Sequence, residues 1–184
     1  PADPIVVHPD VRRMLLTMRA HTEGTRALGA LVAKEADVAE AHTDPTRREA
    51  AGEFVALMTP VVKALFTDLG FEVTNLGLQV HGGAGYVRET GVEQFVRDAR
   101  IAQIYEGANG IQALDLIGRK MPMRSGRQLR RLFHPIAQFI AENRDDPDMA
   151  EFVQPLEKAF GRLQTVTGYI AQQGLKDQDA AAAG

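Results

Sequence analysis

Apolar residues recur at helical spacing along almost the whole chain. From about Pro9 to Asp37, Val11, Met14, Leu15, Met18, Leu28, Leu31 and Val32 fall three and four residues apart, the period of one helix face. Arg12, Arg13, Arg19 and Lys34 lie off that stripe, as a helix with one buried side requires. His42-Thr43-Asp44-Pro45 reads as a connector, with Asp44 as N-cap and Pro45 in the first turn of the next helix. That second helical stretch runs from about Thr46 to Val80. Its wide apolar face comprises Phe54, Leu57, Met58, Val61, Leu65, Phe66, Leu69, Val73, Leu76 and Val80, which predicts burial against more than one neighbour. Pro60 removes a backbone bond and crowds the preceding turn, so a kink or a junction of two helices is expected at Thr59-Pro60.

His81-Gly82-Gly83-Ala84-Gly85 is a break. A short helix is expected after Thr90, carrying Val92, Phe95 and Val96 inward. A linker from Ile101 to Tyr105 then leads to a helix from about Gly107 to Ile117, with Gly118 as its stop. Met121-Pro122-Met123-Arg124-Ser125-Gly126 reads as a second linker. Beyond it lie two amphipathic segments, one with Leu129, Leu132, Phe133, Ile136 and Ile140, the other with Phe152, Val153, Leu156, Phe160, Leu163 and Ile170. Asp146-Pro147 opens the latter. Pro135 and Pro155 weaken both helices, and the alanine-rich tail after Lys176 is expected to be loose. The pattern predicts an all-α fold, with a helical-bundle core over residues 1–120 and additional C-terminal helices over 121–184.

Composition narrows the functional classes. With 184 residues the chain can bury a core. A net charge of −3, with both signs interspersed, offers no basic stripe for nucleic acid. No run approaches the roughly 18 uninterrupted apolar residues of a membrane span, and no charged start precedes an apolar core as in a secretory signal. The absence of cysteine removes disulfides, thiol nucleophiles and thiolate metal sites. His8, His21, His42, His81 and His134 show no paired ligand spacing, so no metal is expected. A cytoplasmic setting and an origin as part of a longer protein are the working expectations.

Candidate chemistry concentrates between Gln79 and Lys120. Gly82, Gly83 and Gly85 leave backbone N–H groups approachable, which suits phosphate oxygens, although a plain turn is the default reading of such a cluster. Arg97-Asp98-Ala99-Arg100 reads as a structural ion pair on its short helix, stabilising by under about 1 kcal/mol. Tyr105-Glu106-Gly107 stands just before a helix, whose positive end favours the ionised carboxylate that a base needs. An apolar surrounding would oppose this by desolvation and make the carboxylate a stronger base. Taken alone, such a Glu is an ordinary first-turn acid.

Read together, these three features resemble the C-terminal signature of acyl-CoA dehydrogenases: a Gln-x-x-Gly-Gly-x-Gly turn, an Arg-Asp-Ala stretch, then Tyr-Glu-Gly-Thr-x-x-Ile-Gln. They stand here as Gln79–Gly85, Arg97–Ala99 and Tyr105–Gln112, in order and at the family's spacing. The run from His8 to Met18 is similar to the long helix that precedes the signature. The segment 121–184 looks like the extension of one bacterial subgroup. The resemblance implies that the core over residues 1–120 is part of an up-and-down helical bundle.

The resemblance implies an FAD-dependent enzyme that dehydrogenates acyl-CoA thioesters between the α and β carbons. Glu106 would take the α-proton, and its main-chain N–H would help to polarise the thioester carbonyl. Gln79, Val80, His81, Gly82 and Gly83 match a segment that meets FAD across a subunit interface. Gly107 matches the small residue beside flavin and substrate, and Ala108, Asn109 and Gly110 match further cofactor contacts. Ala108 departs from the family's usual Thr, a hydroxyl contact worth on the order of 0.5–1.5 kcal/mol.

An acyl-CoA substrate, an electron-transfer flavoprotein and a homodimer or homotetramer are the implied partners. The family's N-terminal helical and middle β-domains do not fit within this length, so the activity is expected of the parent protein and the fragment alone is expected to be inactive. An acyl-CoA oxidase-like enzyme and a helical oligomerisation or scaffold module without catalysis are the alternatives.

Overall fold

A computed structural model describes residues 3–174, 176 and 177. Among these residues the chain is built from helices without strands. Two long helices come first, α1 (Pro9–Ala41) and α2 (Pro45–Val80). A single turn α3 (Gly83–Tyr86) is followed by α4 (Val92–Ala102), α5 (Asn109–Asp115), α6 (Met123–Asn143) and α7 (Ala150–Gly174). The all-α expectation holds. The alanine tail lies outside the described residues from 178 onward.

The chain forms two compact units that share α1 and α2. One comprises residues 1–34 and 59–112; the other comprises 35–58 and 113–184. Each therefore draws on segments far apart in sequence.

In the second unit, the connector between α1 and α2 is fixed by local bonds. Asp44 Oδ1 accepts from the Thr46 N–H at 2.9 Å, the capping contact expected of it. Arg48 donates to the His42 carbonyl at 2.6 Å. Buried Glu35 accepts from Arg47 Nη2 at 2.8 and 2.7 Å, closing the helix pair. Ile140, Val153 and Phe160 form a small core between α6 and α7, with Phe133, Ile136, Met149 and Leu156 packed against it. The rings of Phe133 and Phe160 meet edge to face, 5.3 Å apart. Met121-to-Gly126 acts as the expected linker, because Arg124, Ser125 and Gly126 all take left-handed backbone conformations before the regular part of α6 begins.

A Glu-Arg cluster ties that linker to α2. Glu53, 5% exposed, accepts from Arg124 at 2.7 Å and from Arg127, with Arg131 Nε 3.5 Å from its other oxygen. Glu49 accepts from Arg124, and from Arg127 at 2.9 Å. Burial pushes the Glu53 carboxyl up. The hydrogen bond and charge of Arg127, with Arg124 and Arg131, outweigh this and hold it below the ordinary carboxylate range. Hydrogen bonds from Arg124 and Arg127 hold Glu49 low as well.

Several expectations need correction. Of the two outcomes expected at Thr59-Pro60, the junction of two helices does not occur: α2 runs through Pro60, whose ring is fully buried, as α6 and α7 run through Pro135 and Pro155. Gly118 does not stop its helix, because α5 widens into a π-turn over Leu116–Lys120, closed by the Met121 N–H on the Leu116 carbonyl at 2.9 Å. Phe95 does not point inward: it is 64% exposed, while Val92 and Val96 are half-buried. Asp146-Pro147 forms a turn ahead of α7, with Asp146 Oδ1 accepting from the Asp148 N–H at 2.9 Å.

By length and composition α2 could cross a membrane, with a mean hydropathy of 1.5 in its most apolar window and 17% of that window buried. Its polar side chains Lys63, Thr67 and Asp68 nonetheless make their hydrogen bonds inside the protein.

Candidate active site

The segments singled out in the sequence all fall in the unit that contains residues 59–112. α2 ends at Val80, and Gly82 takes φ +58, a value that favours glycine and turns the chain into α3. Gly85 is constrained differently. A Cβ there would lie 2.7 Å from the Leu78 carbonyl oxygen and 2.7 Å from His81 Cβ, so only glycine lets the turn fold back on the end of α2. Gly82 and Gly83 face open space. His81 Nδ1 lies 2.8 Å from the Gly77 carbonyl, which places a ring proton on Nδ1. Gln79, His81, Gly82 and Gly83 are exposed, and Val80 is half-buried. Thr90 Oγ1 donates to the Ala84 carbonyl and secures the turn from the other side.

α3 and the turn at Arg88–Thr90 pack against α4, whose own charges are arranged along its surface. Arg97 pairs with Glu93 at 3.0 Å and Asp98 accepts from Gln94 at 2.7 Å, so the ion pair expected within Arg97–Arg100 is replaced by bonds to partners one turn back. Adjacent Arg97 and Asp98 project about 100° apart on a helix, which keeps them from pairing with each other. The Arg100 guanidinium sits 5.8 Å from the Phe71 ring centre.

The loop after α4 carries Glu106. Glu106 has φ +54 and Gly107 φ +84, two successive left-handed residues. For a non-glycine residue that conformation costs roughly 1–2 kcal/mol, so the surroundings must hold it. Lys63 Nζ donates to the Gly107 carbonyl at 2.7 Å and to Asn109 Oδ1 at 2.9 Å. The Asn109 amide donates to Asp68 at 2.7 Å and to Thr67 Oγ1 at 3.0 Å. The Asn109 N–H donates to the Gln103 carbonyl at 3.2 Å, closing the loop on itself. Gln112 Nε2 reaches back to the Gly107 and Glu106 carbonyls at 3.3 and 3.4 Å. A Cβ on Gly107 would lie 2.9 Å from that amide nitrogen.

Glu106 itself is exposed, and among the described residues its carboxylate has no ion-pair partner. Ala108 accepts the Gln112 N–H at 3.1 Å and so stands at the N-cap of α5 without a capping side chain. Gly110 follows in the first turn of α5 and is exposed. The side chain of Asn109 is committed to α2 and its N–H to the Gln103 carbonyl, so both act in holding the loop.

Sequence reasoning missed Lys63, Asp68 and Gln112 as parts of this site. Lys63 carried a signal, being the only Lys or Arg between Arg48 and Arg88, set within an apolar face. No group of three or more metal-ligating side chains occurs among the described residues.

A family model for the acyl-CoA dehydrogenase C-terminal domain matches residues 2–121. The chain belongs to the acyl-CoA dehydrogenase family. Among curated acyl-CoA dehydrogenases, 3-methylmercaptopropionyl-CoA dehydrogenase of Ruegeria pomeroyi is 51% identical over 136 residues, 74% of this chain and 23% of that protein. A butyryl-CoA dehydrogenase of Syntrophomonas wolfei is 32% identical over 90% of this chain and 27% of its own length. The broad-specificity linear acyl-CoA dehydrogenase FadE5 of Mycobacterium tuberculosis is 34% identical over 92% of this chain and 29% of its own length. The chain thus spans about a quarter of these acyl-CoA dehydrogenases. Matches covering 90% or more of the chain also take in most of the segment beyond residue 121.

Proposed function

We propose that this chain is the helical part of a flavoprotein that dehydrogenates acyl-CoA thioesters, with Glu106 as the base that removes the α-proton. The observation that carries the reading is the surroundings of Glu106. Its backbone is pinned in a left-handed turn by Lys63 and Gln112, while its carboxylate is free of any ion pair among the described residues. A structural ion pair there would have removed the base. A carboxylate fixed through its main chain and open at its side chain can instead meet a carbon acid. The adjoining main-chain N–H of Glu106 is the donor that would polarise the thioester carbonyl.

FAD is the cofactor implied by the family, and the residues present fit one wall of its site. Gly82 and Gly83 have open space where a side chain would stand, and exposed Gln79 and His81 Nε2 offer polar atoms beside them. Gly107 and Ala108 add a second small-residue edge, and Gly110 a third position without a side chain. When bound, FAD supplies the acceptor for the β-hydrogen. The chain's residues bind, orient and hold the proton at Glu106.

The rest of both sites belongs, in this reading, to parts of a longer protein, so the 184-residue chain alone does not turn over substrate. Exposed Tyr86, Phe95, Ile101, Ile104, Tyr105 and Ile111 support burial of this surface by other domains or subunits of a homodimer or homotetramer. An electron-transfer flavoprotein is the proposed electron acceptor; rapid decay of reduced flavin in air would point to an oxidase instead. The test of the base is Glu106→Gln in the flavin-loaded full-length protein. Loss of α-proton exchange and of dehydrogenation is expected, and an undiminished rate would refute the role.

A further inference from the structure

We infer that Lys63 is a positioning residue for the reaction, holding the Glu106–Gly107 turn against α2 in the left-handed conformation seen here. The inference rests on the proposed role of Glu106. It goes further by assigning the control of that residue's geometry to a side chain 43 positions earlier, midway along α2.

Three observations converge. Lys63 is half-buried on the apolar side of α2, where an ammonium is costly unless its donors are used. Two of its three donors are used on this one loop, on the Gly107 carbonyl at 2.7 Å and Asn109 Oδ1 at 2.9 Å. The first of these acceptors belongs to the second of two consecutive left-handed residues, so the bond fixes the peptide that sets the direction of the turn. Asn109 then passes the constraint to Asp68 and Thr67, one helical turn along α2. The loop is thereby held at two neighbouring points of one rigid helix. Gln112 adds bonds to the Gly107 carbonyl at 3.3 Å and to that of Glu106 at 3.4 Å, longer contacts than those of Lys63. Without the Lys63 ammonium, the Glu106 backbone is free to relax out of the left-handed region, and its carboxylate leaves the line of attack. A misplacement of about 1 Å is enough to cost on the order of a hundredfold in rate.

The experiment uses Lys63→Met, Lys63→Arg, Asn109→Ala and Glu106→Gln. Amide hydrogen exchange is measured on the 184-residue chain, and steady-state kinetics on the flavin-loaded full-length protein. Lys63→Met should speed exchange of the Asn109 amide, bonded to Gln103, by about tenfold or more while amides of α7 are unchanged. It should lower kcat at least about tenfold with KM within about threefold, and Lys63→Arg should recover part of kcat. Asn109→Ala should loosen the same amides, which keeps the inference testable if Lys63→Met does not fold. Unchanged exchange at residues 103–112 in both variants would overturn the inference, as would a loosened loop with full kcat. Should Glu106→Gln retain full activity while Lys63→Met loosens the loop, the base assignment fails and the anchoring of the turn stands.

Discussion

Glu53 and Glu106 lie in opposite surroundings within one chain. Glu53 is buried, ringed by Arg124, Arg127 and Arg131, and its carboxylate is the centre of the cluster that ties the 121–126 linker to α2. Glu106 is exposed, without an ion pair among the described residues, and is held through its backbone instead. In the first case the charge is consumed by structure; in the second a network of comparable size leaves the charge unengaged. The lesson is that a carboxylate's use is read from which of its atoms the protein has bonded. Side-chain oxygens in bonds mean a scaffold, and a fixed main chain with free oxygens means availability for chemistry.

The sharpest way to test the contrast is to neutralise each carboxylate in turn. Glu106→Gln should lower dehydrogenation by the full-length protein by about 10²–10⁴-fold, the usual worth of a general base, while the unfolding midpoint of this chain stays within about 2 °C of the original. Glu53→Gln should do the reverse. Removing one member of a buried, multiply paired group leaves arginines without their partner, and the midpoint should fall by roughly 5 °C or more. Equal stability losses in the two variants would erase the distinction.

A change of backbone space should come next in size. Gly85→Ala places a methyl 2.7 Å from the Leu78 carbonyl, so the turn after α2 must shift, at a cost of about 1–3 kcal/mol by chemical denaturation. The same substitution at Gly83, which faces open space, should cost less than about 1 kcal/mol.

Acid titration sharpens the buried side of the contrast. The folded carboxyls of Glu53 and Glu49 are held below the ordinary value of 4.5. Their contribution is therefore fully present above that value and is lost as pH falls through the lowered folded values. Thermal unfolding should show stability dropping as pH falls below about 4.5, and Glu53→Gln should flatten part of that slope.

The smallest expected effect is a gain. Ala108 stands at the N-cap of α5 without a side-chain acceptor, so Ala108→Thr should stabilise by about 0.5–1 kcal/mol, measured as a rise in the denaturant midpoint.

Periodicity located the longer helices, though not the single turn α3, because an amphipathic stripe is a local property that survives without knowledge of the partner. It placed α1 and α2, the glycine break, α4 and the two helices of the extension, and the family signature placed Glu106. It erred where packing overruled a local rule. Pro60 invites a junction of two helices, but α2 continues through it with the ring fully buried. Phe95 belongs to the apolar face of α4, yet it stays 64% exposed where Val92 and Val96 are half-buried. Gly118 lacks the positive φ that would make it a stop, and the chain continues through it as a π-turn.

The order of residues by itself determined the all-helical character, the breaks at Gly82 and at 121–126, and the presence of one carboxylate at the mouth of α5. Tertiary structure decided what those residues are for. Lys63 and Glu53 each read as an isolated charge on the apolar helix α2, and nothing local says what either will meet. Only when segments 44 or more positions away fold against that helix do their partners arrive, one to hold a turn and leave a carboxylate open, the other to close a carboxylate off. Partners that distant come together because the helices between them bury their apolar faces, and the free energy of that burial belongs to the whole fold.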